Sequence, residues 1–160
     1  MFEDGIIRMF GREHCEIHIF DPAPAYASST PKGNVHYHDW GITEVSFTDD
    51  KNRRFLSLSE SMGKLGHSSR RIDVFKIDCE GCEWTTYKAW LQADIRQVLV
   101  ESHGITSETP AIEFFEDLTK AGFVLFSKEA NTHPVAHPIG QLFEWGFVRL
   151  APEFLNYQSL

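Results

Sequence analysis

The chain has 160 residues, 42% of them apolar and 13% aromatic, with 15 basic against 23 acidic side chains and a formal net charge of -8. That composition excludes a disordered chain and leaves room for one domain, 1–160, which at this length buries roughly 68–70% of its unfolded surface and needs no structural metal. The acidic balance gives no basic stripe for a phosphate backbone, so no nucleic-acid partner is expected, and with no run of about 18 apolar residues or signal-like opening the expected setting is soluble and cytoplasmic.

The segment Phe2–Arg12 reads as a helix. Cys15 to Phe20 alternates as a strand and stops at the proline-locked turn Asp21-Pro22-Ala23-Pro24. Val35 to His38 is a second strand, closing at Asp39-Trp40-Gly41, and Glu44 to Thr48 is a short apolar segment that can pair beside it before the polar turn Asp49-Asp50-Lys51-Asn52. Ser57-Leu58-Ser59-Glu60 fits a capping box, which predicts a short helix to about Leu65 ending at Gly66.

Ile72 to Ile77 is apolar at most positions, as in a strand buried inside a parallel sheet. An acidic turn follows, Asp78-Cys79-Glu80-Gly81-Cys82-Glu83, and then Trp84, Tyr87, Lys88 and Leu91 at helical spacing. Gln97 to Val100 is the next strand, closing in Glu101-Ser102-His103-Gly104. Thr109-Pro110 opens a helix with Ile112, Phe115, Leu118 and Ala121 as its buried stripe and Gly122 as its end. Phe123 to Phe126 is a strand, Ser127 to Gln141 a loop, and Leu142 to Leu150 a last strand able to pair antiparallel with the one before it.

This order predicts an α/β domain with a mainly parallel sheet and one late antiparallel strand. Ligands of such sheets sit at the carboxyl ends of the strands. Asp21, Asp39-Trp40, Asp78 to Glu83 and Glu101 to His103 are the residues placed there.

The run Asp73 to Trp84 closely resembles the signature of FkbM-like methyltransferases, an apolar strand followed by Lys-Ile-Asp-x-Glu-Gly-x-Glu, matched from Lys76 to Glu83, in the flavour of the eukaryotic methyltransferase-like branch. Phe20-Asp21-Pro22 is similar to the end of that family's second strand, Trp40-Gly41-Ile42 to the turn after its third, and Leu99 to His103 to its fifth. The resemblance implies a class I, Rossmann-like methyltransferase fold with S-adenosylmethionine as cofactor and methyl donor. It implies that Asp21 accepts hydrogen bonds from the ribose hydroxyls and that Asp39 and Trp40 flank the adenine. Asp78 and Glu80 then lie beside the methionine end and the nucleophile, with Glu101 and His103 best placed to remove a proton from an acceptor hydroxyl. The acceptor is expected to be a sugar, glycan or other small hydroxylated molecule.

One departure is plain. The family's domain opens with a strand and a glycine-rich loop, and here no two glycines are separated by a single residue. The chain therefore reads as a methyltransferase domain, N-terminally incomplete, that lacks the first strand, and a flanking strand of the sheet is expected to be left unpaired. That absence supports a second reading, a non-catalytic interaction module of methyltransferase descent. A third is an unrelated metal-dependent hydrolase using Asp78, Glu80 and His103.

Blander readings stand beside these. Cys79-x-x-Cys82 has no second pair and Cys15 is remote, so two small buried side chains in a reducing compartment are expected rather than a metal or redox site. His36 and His38 alternate on one strand face and are expected to half-bury there. His133 and His137 fall in a proline-rich loop that could serve as a lid. Asp78, Glu80 and His103 could hold a divalent cation, but helix capping by Glu80 and Glu83 accounts for the same acids, and no metal is expected.

Overall fold

The expected leading helix is present as α1, Phe2–Phe10, with Glu3 and Asp4 in its first turn and Arg8 in its last, the charge order that a helix dipole favours. The computed structural model describes residues 2–11, 13–23, 34–104, 108–131 and 142–155. Within it the chain divides into two compact units, Met1–Ser57 and Leu58–Leu160.

In the first unit β1, Ile17–Phe20, pairs in parallel with β2, Val35–His38. The register sets His18 against His36 and Phe20 against His38, so the alternation of each strand puts these four rings on one face, where His18 stacks on His36 at 5.0 Å and Phe20 on His38 at 4.8 Å. Nδ1 of His18 lies 2.9 Å from Nε2 of His38. Burial, then the charges of His18 and His36, hold the His38 imidazolium below its ordinary range.

Trp40 to Gly41 is not a turn. It opens β3, Trp40–Thr43, which runs parallel to β5, Arg54–Ser57, while β4, Phe47–Thr48, lies antiparallel on the far side of β5. Pairing the 44–48 segment with the second strand is thus corrected: its strand partner is β5, which has only Phe55 and Leu56 as apolar residues and is too short to announce itself. Gly41 is needed where it stands, since a Cβ there would meet the Phe55 ring at 2.8 Å.

In the second unit α2, Leu58–Lys64, starts directly after Ser57, the first residue of the expected capping box, and ends before Gly66, whose φ of 70° suits a helix stop. Then come β6, Ile72–Ile77; α3, Glu83–Gln92; β7, Ile95–His103; α4, Glu108–Lys120; β8, Phe123–Ala130; β9, Leu142–Arg149; and α5, Pro152–Leu155. The sheet order is β6-β7-β9-β8, with β6 and β7 parallel and β9 antiparallel to both its neighbours. The late antiparallel strand is therefore present, but the sheet is not mainly parallel: among the described residues three pairings are parallel and three antiparallel, spread over three sheets.

Three further expectations are corrected. Among the described residues β6 is a terminal strand of its sheet, not an interior one; only its Phe75 and Ile77 are buried, and Val74 is 37% exposed. The stripe of α4 is rotated: Ile112 is exposed, while Phe114 and Leu118 are the fully buried positions, because the dense aromatic cluster of α3 takes up Phe114. The strand expected over 123–126 continues to Ala130 through Ser127-Lys128-Glu129, polar because this is an outer strand of the sheet. A bulge between Leu125 and Ser127 accompanies Phe126 lying across Gly146, where any Cβ would sit 2.7 Å from the ring. Residues 132–141 of the expected loop, His133 and His137 among them, lie outside the described residues.

The core of this unit is the helix-covered face of the sheet. Phe75, Val98, Val100 and Phe147 from the strands are buried with Tyr87 and Trp90 from α3 and with Phe114 and Leu118 from α4. Tyr87 keeps its hydroxyl satisfied by donating to Asp117 Oδ2 at 3.1 Å, and burial together with that carboxylate pushes its phenol up to about 12.

Candidate active site

Two parallel neighbours, β6 and β7, end side by side, with Ile77 opposite Val100. Asp78 follows the first directly; Glu101 and His103 lie on the extension of the second, paired there with Glu144 and Leu142 of β9. The acidic turn from 78 to 82 is bent tightly enough that Glu80 takes φ 56° and Gly81 φ 112°. A non-glycine residue in that region is uncommon and costs conformational energy that the surroundings must offset.

Much of that offset comes from Glu83, the first residue of α3, which is only 1% exposed. Its Oε2 accepts the backbone N–H of Gly81 at 2.9 Å, and its Oε1 accepts the backbone N–H of His103 at 2.5 Å and lies 3.2 Å from His103 Nδ1. A carboxylate oxygen accepts, so this contact places a ring N–H on Nδ1. Trp84 completes the tie by donating its indole N–H to the carbonyl of His103 at 2.8 Å. One turn of helix thus holds both the backbone and the ring of a histidine that is itself only 8% exposed.

Nε2 of His103 is 3.6 Å from Asp78 Oδ1 and 3.6 Å from Glu80 Oε2. Glu101 accepts from Asn131 Nδ2 at 2.8 Å. Burial, and after it the charge of Glu101, raise the Asp78 carboxyl above the usual carboxylate range, with Lys76 and His103 opposing. The four residues expected to do chemistry, Asp78, Glu80, Glu101 and His103, are therefore brought to one place.

The raised Asp78 carboxyl has a consequence for stability. Its contribution is complete below the ordinary value of 3.8 and is lost as pH rises through the higher native value. Asp78→Asn is accordingly expected to melt at a higher temperature than wild type at about pH 7 and to lose that advantage at about pH 3.5, as read by thermal melts at the two pH values; an unchanged or lower melting point at pH 7 contradicts the assignment.

The cysteine expectation is corrected. Cys79 and Cys82 are joined by a disulfide and are half-buried, while Cys15 is free. A bonded pair weighs against the reducing compartment inferred from the odd cysteine count, and it closes the loop that carries Glu80.

The three residues expected at the cofactor lie in the first unit. Asp21 stands at the end of β1, its backbone N–H donating to His38 O at 3.1 Å and its Oδ1 accepting from Ala23 N–H at 2.7 Å. Asp39, between β2 and β3, is ion-paired with Arg54. Trp40 is 9% exposed and packs against Phe20 and His38, with the Arg54 guanidinium 5.7 Å from its ring.

A family model described as a methyltransferase domain matches residues 1–149. The chain belongs to this methyltransferase-domain family. No curated protein and no solved structure matches it. The match spans both units. Glu83 is placed by the sequence at the strand ends with the rest of the acidic turn, but as a helix cap and without a role in the site. It stands within the matched motif, yet an acid at the first turn of a helix reads as a dipole partner, and only its burial reveals that it faces inward. Among the described residues no helix is long and apolar enough to cross a membrane.

Proposed function

We propose that the chain is an S-adenosylmethionine-dependent methyltransferase of the FkbM-like type that methylates a hydroxyl oxygen of a sugar or other small molecule. The observation that carries this reading is the buried Glu83–His103 pair at the ends of β6 and β7 in a chain that matches a methyltransferase domain from residue 1 to 149. The cofactor supplies a methyl group on a positively charged sulfur.

The residues present fit the ribose end of that cofactor. Asp21 ends a parallel strand and spends one oxygen on Ala23, which leaves acceptor capacity for two hydroxyl donors. Asp39 would meet the adenine amine only by sharing its carboxylate with Arg54, and Trp40 would offer no more than the edge left by Phe20 and His38. At the acceptor, His103 Nε2 takes the hydroxyl proton as oxygen gains the methyl group. Glu83 holds the ring proton at Nδ1 and balances the imidazolium that forms. Asp78, Glu80 and Glu101 position the hydroxyl. Their role is orientation, because a carboxylate set against the sulfonium would stabilise the ground state that has to be left.

The terminal position of β6 supports the further reading that these 160 residues hold the domain without its first strand and glycine-rich loop. That same feature favours the alternative, a methyltransferase-derived module that binds a partner and does no chemistry. Calorimetric titration with S-adenosylmethionine separates them. Asp21→Ala is expected to weaken binding at least ten-fold with little change in melting temperature; unchanged affinity overturns the ribose assignment, and no binding by the unaltered chain favours the module.

A further inference from the structure

The geometry points to a use for the bond inside the acidic turn: we propose that Cys79–Cys82 is a reversible thiol–disulfide exchange site, opened and closed by small thiols, and that its state holds or frees Glu80. The two cysteines are joined at a sequence separation of 3, so the bond ties the turn to itself and connects no separate elements. The stabilisation a cross-link gives grows with the length of chain it closes, and here Glu80 and Gly81 alone lie between the bonded residues. Other groups fasten the turn and α3 to β7: Glu83 accepts the N–H groups of Gly81 and His103, and Trp84 donates to the His103 carbonyl. A bond that adds little to the fold and leaves both cysteines only half-buried has the features of a labile disulfide rather than a structural one.

The surroundings give the exchange a direction. Cys82 directly precedes α3, its carbonyl accepting the N–H groups of Thr85 and Thr86 at 3.1 and 3.0 Å, and its Sγ lies 4.0 Å from the Thr86 hydroxyl. Cys79 Sγ lies 3.4 Å from Glu83 Oε2. Negative charge leaving on Cys82 meets the positive end of a helix and a hydroxyl, whereas the same charge on Cys79 would face a buried carboxylate. The thiolate of the reductant therefore attacks Cys79 Sγ, the S–S bond breaks, and its electron pair leaves on Cys82. A second thiol attacks the reductant's sulfur in the mixed disulfide and releases Cys79. Two thiols are thereby oxidised to one disulfide, and their two protons end on Cys79 and Cys82. The new Cys79 S–H has its acceptor already beside it in Glu83 Oε2, so the turn accommodates both states. Opening the bond matters most for Glu80. Within the closed loop it takes φ 56°, a region a non-glycine residue leaves when it is free to, and leaving it carries Oε2 away from its place 3.6 Å from His103 Nε2.

The test is a redox titration of the whole chain at neutral pH in mixtures of reduced and oxidised glutathione, without denaturant or cofactor, with free thiols alkylated and counted by mass. Cys15→Ser is used as the background so that only the bonded pair is counted. No alkylated cysteine is expected in oxidised glutathione and both in millimolar reduced glutathione. The dithiol share is expected to rise from roughly a tenth to nine tenths over about a hundred-fold change in the ratio of squared thiol to disulfide concentration, and to fall again on re-oxidation. Glutathione trapped during reduction is expected on Cys79. The ring resonances of His103 are expected to shift with the same midpoint, and to stay at the reduced position in both buffers in the Cys79→Ser, Cys82→Ser double variant, while the chain remains folded. A bond that glutathione opens only after denaturant has unfolded the chain overturns the proposal, as does a reduction that itself unfolds the chain. His103 resonances indifferent to reduction overturn the control of Glu80, and glutathione trapped on Cys82 overturns the order of attack. No cofactor enters the titration, so its failure is distinct from a failure of cofactor binding.

Discussion

Replacing Glu83 with alanine is expected to cost about 3–5 kcal/mol of folding stability, the range for stripping one partner from a buried charged network. The carboxylate is 1% exposed and takes the N–H groups of Gly81 and His103 while facing Nδ1 of His103. Removing it orphans those donors in a place where His103 is sealed from water, and orphaned buried donors forfeit their full desolvation cost. Glu83→Gln is the sharper variant. An amide of the same shape keeps one acceptor oxygen but must turn an N–H group towards one of the donors, so an intermediate loss is expected, together with an imidazole no longer held in one tautomer. Urea denaturation reads the first effect and the nitrogen resonances of His103 the second. A loss under about 1 kcal/mol for both variants contradicts the placing of this side chain.

Phe114→Ala is expected to cost about 3–5 kcal/mol, with a fall in melting temperature of roughly 6–20 °C for a chain of this size. The ring is 1% exposed and has edge contacts with Trp84, Tyr87, Trp90, Phe115 and Phe147 at centroid distances of 5.4, 5.1, 6.3, 5.3 and 6.0 Å. It joins α3, α4 and the sheet, and a cavity at such a junction cannot collapse without moving an element. Ile112→Ala on the same helix, at 55% exposure, is expected to cost little, well inside 1 kcal/mol. Equal losses from the two variants would mean that α4 presents the other stripe.

That pair of residues shows where reading the chain falls short. Ile112 and Phe114 are equally apolar and both sit on a defensible helical stripe; the choice between them is made by the aromatic cluster of α3, which no local pattern contains. β5 was missed for a related reason, being four residues long with arginine at its start and only two apolar positions, while the extension of β8 was missed because its residues are polar on an outer strand. By contrast, the turn from Asp78 to Cys82 and the helix behind it were legible, since glycine, the acids and the Trp84, Tyr87, Leu91 spacing all specify the same local structure. So was the gathering of Asp78, Glu80, Glu101 and His103, which follows from strand ends lying together in a parallel pair. The inward-facing role of Glu83 is not legible because its burial is set by His103, twenty residues further along the chain. The disulfide escaped because the spacing of Cys79 and Cys82 permits a bond without requiring one.

Whether this chain is a methyltransferase is read most directly by a calorimetric titration of all 160 residues with S-adenosylmethionine. Saturable binding at a single site, at ligand concentrations well below millimolar, is expected. No heat of binding up to millimolar ligand, from a chain shown to be folded, would contradict it.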